Sequence, residues 1–213
     1  MIVLHHAAQS RSFRILWFLH EAALEHRLVR QSFAGKALRD PGFLAISPAG
    51  RVPVVEVDGG TLFESGAILQ YLCETRAPAL GRAPGSPARG KYLEWLHYGE
   101  TLAQHLAQLT FHRVVLAPAD RSPVVQKLES LRLRRALQGV EAALAAGPLV
   151  PGGFCAADIM VGASVDLARR FVRFDGLPRL DEWHAALRAR PGFQAALAAD
   201  GAPELYPEEY YGD

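Results

Sequence analysis

Residues 50–66 read GRVPVVEVDGGTLFESG, and how they fold decides the rest of the chain. Val54 to Val57 is rich in β-branched residues and follows a proline, the composition of a short strand. Asp58-Gly59-Gly60 supplies residues that accept a positive φ, which predicts a hairpin turn into a second strand over 61–63. After it, Ala67, Ile68, Tyr71 and Leu72 recur at helical spacing, which predicts a helix over 65–75 with Ser65 as its N-cap. Two chemical consequences follow. Pro53 has no N–H to give to a ladder, so the backbone at Val52-Pro53 is open to an extended ligand. The helix start at Ser65 concentrates unpaired N–H groups and positive dipole, which suits a carboxylate, and Glu64 beside it suits an ammonium. A ligand with an amino-acid head and a peptide-like body satisfies both.

Upstream, IVLHH at 2–6 predicts a first strand, with His5 and His6 alternating between core and surface. Residues 12–24 carry a helical apolar face of Ile15, Leu16, Leu19, Ala22 and Ala23. Residues 26–33 predict a second strand, and 35–47 are irregular, broken by Asp40-Pro41-Gly42 and Ser47-Pro48 with room for a helical turn between. The order β-α-β-(α)-β-β-α is that of an α/β thioredoxin-like domain. Its first two strands, joined through a helix, are expected parallel and its closing hairpin antiparallel. Downstream, 77–90 is rich in proline and glycine and marks a boundary. Helical periodicity then fills 91–116, 123–146, 156–171 and 180–188, and no strand pattern returns. The expected organisation is a thioredoxin-like domain over 1–77, a linker over 78–90, and an all-α C-terminal helical bundle domain over 91–213.

Composition narrows the functional classes. Half of the 213 residues are hydrophobic and 21% are charged, a globular balance. A formal net charge of +1 argues against a nucleic-acid or membrane footprint. No apolar run approaches the roughly 18 residues of a spanning helix. The opening MIVLHHAAQ lacks a basic start and a cleavage pattern, so no signal peptide is expected and the chain reads as cytoplasmic. Cys73 and Cys155 form no CxxC and no Cys/His metal spacing, so no metal is expected.

The stretch VPVVEVDGGTLFESGAI at 52–68 resembles the glutathione-binding segment of the cytosolic glutathione transferases. The resemblance implies that Pro53 is cis, that the Val52-Pro53 backbone pairs with the cysteinyl part of glutathione, and that Glu64 and Ser65 bind its γ-glutamyl end. HHAAQSRSFRILWFLHE at 5–21 resembles a serine-type bacterial and fungal subgroup, in which a hydroxyl in the loop after strand 1 hydrogen-bonds the glutathione sulfur. A thiol at that helix start is acidified by the dipole and by hydroxyl donors. Ser10, Ser12 and Gln9 are the candidates, with Ser10 preferred; the subgroup carries Asn where this chain has Gln9. The plainer alternative is that both serines cap the helix. The loop holds neither the cysteine of the thiol-disulfide branches nor the tyrosine of other classes. Arg51 matches a position that binds the glycine carboxylate, with Lys36 and Arg39 as alternatives.

In the second half, KYLEWLHYGETLAQHLAQL at 91–109 and GPLVPGGFCAADIMVGASVDLARRF at 147–171 resemble helices of the family's all-helical domain. The second keeps the Asp158 of a Ser/Thr-x-x-Asp capping box but puts Cys155 in the hydroxyl position, which predicts a weaker cap. Tyr98, Thr101, His105, Gln108 and His112 share one helical stripe, either lining an electrophile pocket or facing solvent. His105 and His112, about two turns apart, are too far from each other for one metal.

The resemblance implies a homodimeric enzyme that binds glutathione as cosubstrate, with no further cofactor, and conjugates its thiolate to a small hydrophobic electrophile. The alternatives are a glutathione-dependent peroxidase, isomerase or dehalogenase on the same scaffold, and a non-catalytic stress or regulatory protein. The tail over 203–213 is expected either to fold over the cleft or to fray.

Overall fold

A computed structural model describes residues 1–212. The chain forms two compact units: residues 1–83 with 189–207, and residues 84–188 with the end of the chain from Glu208.

The first unit opens with β1 (Ile2–His6), α1 (Phe13–Glu21), β2 (His26–Arg30), the short α2 (Pro41–Ile46), β3 (Val54–Val57), β4 (Gly60–Phe63) and α3 (Ser65–Thr75). The sheet order is β2-β1-β3-β4. β1 and β2 are parallel, and β3 runs antiparallel to both β1 and β4. The hairpin turns through Asp58 and Gly59, both at positive φ. This is the expected thioredoxin-like domain.

β1 departs from the expected alternation, because both His5 and His6 are buried. The sheet is covered on both faces, so the two pleat directions of a central strand both point into packed interior. His5 lies against Phe43 of α2, ring centroids 5.9 Å apart, and its Nε2 is 2.7 Å from Glu56 Oε1. His6 faces the start of α1. Ala7, Phe43, Val52 and Val54 form an apolar cluster beneath the loop that follows β1, with Leu38 and Ile46 against it. At α3, Glu64 rather than Ser65 takes the N-cap position, in the left-handed region at φ +70°, and Ser65 becomes the first helical residue.

The second unit is all-helical, as expected. α4 (Arg89–Thr110) runs into one wider turn, Phe111–Val115, closed by the Leu116 N–H on the Phe111 carbonyl at 2.9 Å. α5 (Pro123–Ala146), α6 (Ala156–Ala168) and α7 (Pro178–Arg188) follow. α5 is capped by Ser122, whose Oγ accepts from the Val125 N–H, with Pro123 at the first helical position. α4 and α6 approach closely at Gly99, where a Cβ would lie 2.9 Å from the Met160 carbonyl oxygen. Ser164 Oγ donates to the Gly99 carbonyl there.

Asp158 closes the cap of α6 by accepting the Cys155 N–H at 2.9 Å, and the Cys155 thiol donates to the same carboxylate oxygen at 3.3 Å. Burial, reinforced by the Asp158 charge, pushes this thiol up to about 12. Cys73 is likewise a buried thiol. The native protein at pH 8 is therefore expected to give almost no reaction with an aromatic disulfide reagent over minutes, and both thiols only in denaturant. One equivalent reacting in the native state would contradict this placement.

α8 (Pro191–Asp200) is a helix the apolar periodicity did not predict, and it packs on α1 in the first unit. Phe193 meets Trp17 edge-on, centroids 4.9 Å apart, and Phe13 at 5.3 Å. Arg190 forks onto Glu21 through Nε and Nη2 at 2.9 and 2.8 Å. Gly192 permits this approach, since a Cβ there would lie 2.6 Å from the Glu21 carboxyl. Beyond α8, Glu204 accepts from the Ser32 hydroxyl and the Phe33 N–H. Asp213, the last residue of the expected tail, lies outside the described residues. Among the described residues, no helix is long and apolar enough to cross a membrane. No group of three or more His, Cys, Asp or Glu residues among them is placed to hold a metal ion.

Candidate active site

The loop over residues 7–12 carries β1 into α1, and its side chains divide by what they reach. Gln9 sits at φ +57°. Its N–H donates to Asp200 Oδ2 at 3.0 Å. Its side-chain oxygen accepts from the Tyr206 and Leu205 N–H groups, and its NH2 donates to the Tyr206 carbonyl. The Gln9 amide thus pairs with the chain beyond α8 as a strand backbone would. Ser12 is fully buried, with Oγ 2.8 Å from His6 Nδ1 and 3.2 Å from the Ala7 carbonyl. It holds the N-cap position of α1, yet its hydroxyl caps no helical N–H.

Ser10 is half-buried. Its Oγ lies 2.7 Å from both the Ala7 carbonyl and Ser12 Oγ, and it accepts the Ser12 N–H at 3.1 Å. The capping alternative therefore does not describe Ser12. Of the two serines, Ser10 is the one that is not fully buried.

The Val52-Pro53 peptide is cis. Both residues precede the ladder, which begins at Val54 opposite His5 and Phe63. Ser47 Oγ clamps the Arg51 backbone, accepting its N–H at 3.0 Å and donating to its carbonyl at 2.8 Å, while the Arg51 residue as a whole is exposed. Lys36 and Arg39 are exposed as well. Glu64 is exposed; Ser65 is buried and its Oγ accepts from Arg14 Nη1 at 2.8 Å. Arg14 is itself buried on α1 and ties the starts of α1 and α3 together. Sequence reasoning passed over Arg14, His6 and Asp200. The available signal for Arg14 was a guanidinium set directly between Phe13 and Ile15 in an otherwise apolar helix.

The stripe on α4 is engaged within the helical unit. Tyr98 donates its hydroxyl to the Ala136 carbonyl at 3.0 Å, and burial raises that hydroxyl above its ordinary range. His105 Nδ1 lies 2.7 Å from Glu129 Oε2. Burial pushes the Glu129 carboxyl up, but its bonds to His105 and Arg132 outweigh that and hold it below the usual range. His112 Nδ1 accepts the Ser122 N–H at 3.2 Å. Thr101 and Gln108 remain exposed.

The sheet order β2-β1-β3-β4, with a cis proline just before β3, is that of a thioredoxin-like domain. Residues 1–74 match the family described as glutathione S-transferase, N-terminal domain. The chain is 30% identical over 201 residues to glutathione S-transferase 3 of Zea mays, across 89% of this chain and 90% of that protein. It is 29% identical over 211 residues to the disulfide-bond oxidoreductase YfcG of Escherichia coli, across 92% and 94%. A match of 38% identity to glutathione S-transferase 3 of Schizosaccharomyces pombe spans 102 residues, only 41% of that protein's length. The theta class glutathione S-transferase of the citrus canker pathogen Xanthomonas axonopodis pv. citri, solved with glutathione bound, superposes with a TM-score of 0.82. The two are 28% identical, across 92% of this chain and 96% of that one. The chain belongs to the glutathione S-transferase family and is a glutathione transferase.

Proposed function

We propose that the first unit binds glutathione and stabilises its thiolate for attack on a small apolar electrophile. In this reading the Val52-Pro53 backbone pairs with the cysteinyl part, and Glu64 with Ser65 at the start of α3 takes the γ-glutamyl end. Arg51, with Lys36 or Arg39, takes the glycine carboxylate. Ser10 meets the sulfur. The observation that carries the reading is the hydroxyl of the half-buried Ser10, held at the amino end of α1 by Ala7 and Ser12. A hydroxyl donor and a helix dipole both favour thiolate over thiol, and binding supplies the proximity. The helical unit, which replaces the expected 91–213 because residues 189–207 belong to the first unit, holds the electrophile. Tyr98 and His105 shape that site by fixing α4 on α5.

The protein works in the cytoplasm as a homodimer. Val124, Leu128 and Leu131 form an exposed apolar strip on α5, 75%, 42% and 58% accessible, which suits burial against a second copy. The test is an ultraviolet difference titration of bound glutathione. A thiolate signal well below the free-thiol pKa of about 8.5 is expected. A bound thiol that titrates as free in solution overturns the reading.

The near full-length similarity to a disulfide-bond oxidoreductase favours a second reading, in which the same thiolate attacks a disulfide sulfur and expels a thiolate. Turnover of an aryl halide against turnover of a small disulfide, each with glutathione, separates the two.

Ser65→Ala removes the acceptor of a buried guanidinium as well as a ligand contact. It is expected to weaken glutathione binding roughly tenfold and to cost about 1–2 kcal/mol of stability. Calorimetric titration and a denaturant melt read the two effects. Unchanged affinity would reduce Ser65 to the partner of Arg14.

A further inference from the structure

Behind Ser10 the hydrogen bonds continue inward in one line. Ser10 Oγ lies 2.7 Å from Ser12 Oγ, Ser12 Oγ lies 2.8 Å from His6 Nδ1, and His6 Nε2 reaches Asp200. His6 and Ser12 are fully buried, so the line runs from the half-buried Ser10 into the interior. At the His6 end the partners fix its polarity. His6 Nε2 faces two oxygens, the Asp200 carbonyl at 2.9 Å and Asp200 Oδ1 at 3.2 Å, so Nε2 carries the hydrogen. Nδ1 of the neutral ring is then a bare acceptor for the Ser12 hydroxyl. Ser12 Oγ in turn accepts the Ala7 N–H, and the Ser10 hydrogen has two acceptors at 2.7 Å, Ser12 Oγ and the Ala7 carbonyl. With its own hydrogen turned inward and the Ser12 N–H accepted, Ser10 Oγ keeps one lone pair, and that lone pair can accept the hydrogen of a thiol but cannot donate to sulfur.

We propose that His6 is the proton acceptor for the thiol that Ser10 meets, reached through Ser12, with Asp200 as its counter-ion. This rests on the glutathione reading above. The S–H bond breaks and its electron pair stays on sulfur. The proton passes to Ser10 Oγ, the Ser10 proton to Ser12 Oγ, and the Ser12 proton to His6 Nδ1. Both serines end as neutral hydroxyls, with Ser10 now donating to the thiolate, and the imidazolium faces the Asp200 carboxylate. After transfer the proton returns along the same path to the leaving group or to water.

Asp200 is built for this role. It is buried, its Oδ2 is held by the Gln9 N–H, and its Oδ1 has no hydrogen-bond partner in the resting arrangement. The other charged group at this place is Arg30 of β2, whose guanidinium binds the Asp200 and Ala199 carbonyls. Arg30 is thus engaged by backbone carbonyls, and Asp200 Oδ1, 3.2 Å from His6 Nε2, is placed to meet the charge on His6. His6 is a positioning and proton-holding residue that never touches the substrate.

The experiment is nitrogen-15 NMR of the histidine-labelled protein with and without glutathione, beside the bound-thiol titration in His6→Gln and Asp200→Asn. In the wild type, glutathione is expected to convert His6 Nδ1 from a bare to a protonated nitrogen at a pH where the bound sulfur is thiolate. In either variant the bound thiol is expected to titrate near the free value of about 8.5. The rate at pH 6.5 should fall roughly tenfold or more, with glutathione affinity changed by no more than about threefold.

A role in folding alone would lower the melting temperature and leave the thiol titration in place. Should His6→Gln not fold, the wild-type spectrum and Asp200→Asn still decide. A low thiol pKa with an unmoved Nδ1 resonance, or a folded variant that keeps the low pKa, overturns the relay and leaves the proposed function standing. Glutathione that does not bind at all overturns both.

Discussion

Ser10→Ala is expected to lower kcat/KM for glutathione conjugation by roughly ten- to a hundredfold while glutathione affinity changes only a few-fold. A hydrogen bond to a charged acceptor contributes about 1.5–3 kcal/mol, and about 1.4 kcal/mol is tenfold in rate. The same energy moves the bound thiol up by about one to two pKa units, so the loss should be largest at low pH and fade as the free thiol ionises. The fold should survive. Ser10 is half-buried and its partners are the loop's own Ala7 carbonyl, Ser12 hydroxyl and Ser12 N–H. A kcat/KM profile against pH beside a thermal melt checks each part. An unchanged profile would move the sulfur contact to a backbone N–H at the start of α1. Ser12 lies buried behind Ser10, and the Gln9 amide is engaged with Leu205 and Tyr206.

The glutathione domain was legible in the sequence because its signals are local. Pro53 sits just before β3, Asp58-Gly59 makes the turn, and the apolar positions after Ser65 set a helix whose bounds, Ser65–Thr75, match the reading. The parallel and antiparallel pairings followed from the lengths of the connections. What failed to show was long-range. His5 and His6 were expected to alternate because two adjacent strand residues face opposite ways. They do so, but α2 covers one face of the sheet and the start of α1 covers the other. Ser65 carried the composition of an N-cap, and the chain instead bends at Glu64, giving the Ser65 hydroxyl to Arg14, 51 residues earlier.

α8 hid for a different reason. PGFQAALAAD offers four alanines, one leucine and one aromatic, too weak an apolar stripe to stand out from the helices around it. Its place beside α1 depends on Glu21 and Arg190, which lie 169 residues apart. The Gln9 contact with Asp200 spans 191 residues and has no local signature at all. A single chain therefore reveals the hydroxyl that faces the ligand before it reveals the buried partners that orient it.

Arg190→Ala is the substitution expected to cost the most stability, about 2–3 kcal/mol. Glu21 is 7% exposed, and without the guanidinium its remaining hydrogen bond is the one from Trp17 Nε1 at 3.3 Å. Breaking a buried pair by removing one partner typically costs about 3–5 kcal/mol. Arg190 is itself 35% exposed, so water screens part of the interaction and the lower end applies. At this chain length about 2–4 °C accompanies each kcal/mol, which gives a fall of roughly 4–12 °C in Tm.

The damage should be electrostatic before it is geometric, because the Phe193 contacts with Phe13 and Trp17 persist. Adding Glu21→Gln to Arg190→Ala should therefore recover part of the loss, since a neutral amide needs no counter-charge, and the double-mutant cycle isolates the pair. Arg190 also opens the helix that ends at Asp200, so loosening it should release the Gln9 N–H and the oxygens that His6 faces. Activity should then decline below the melting transition, while the protein is still folded by circular dichroism. A loss under about 0.5 kcal/mol would mean that the aromatic contacts alone seat α8 on α1 and that the Glu21 carboxylate finds water when its partner is gone.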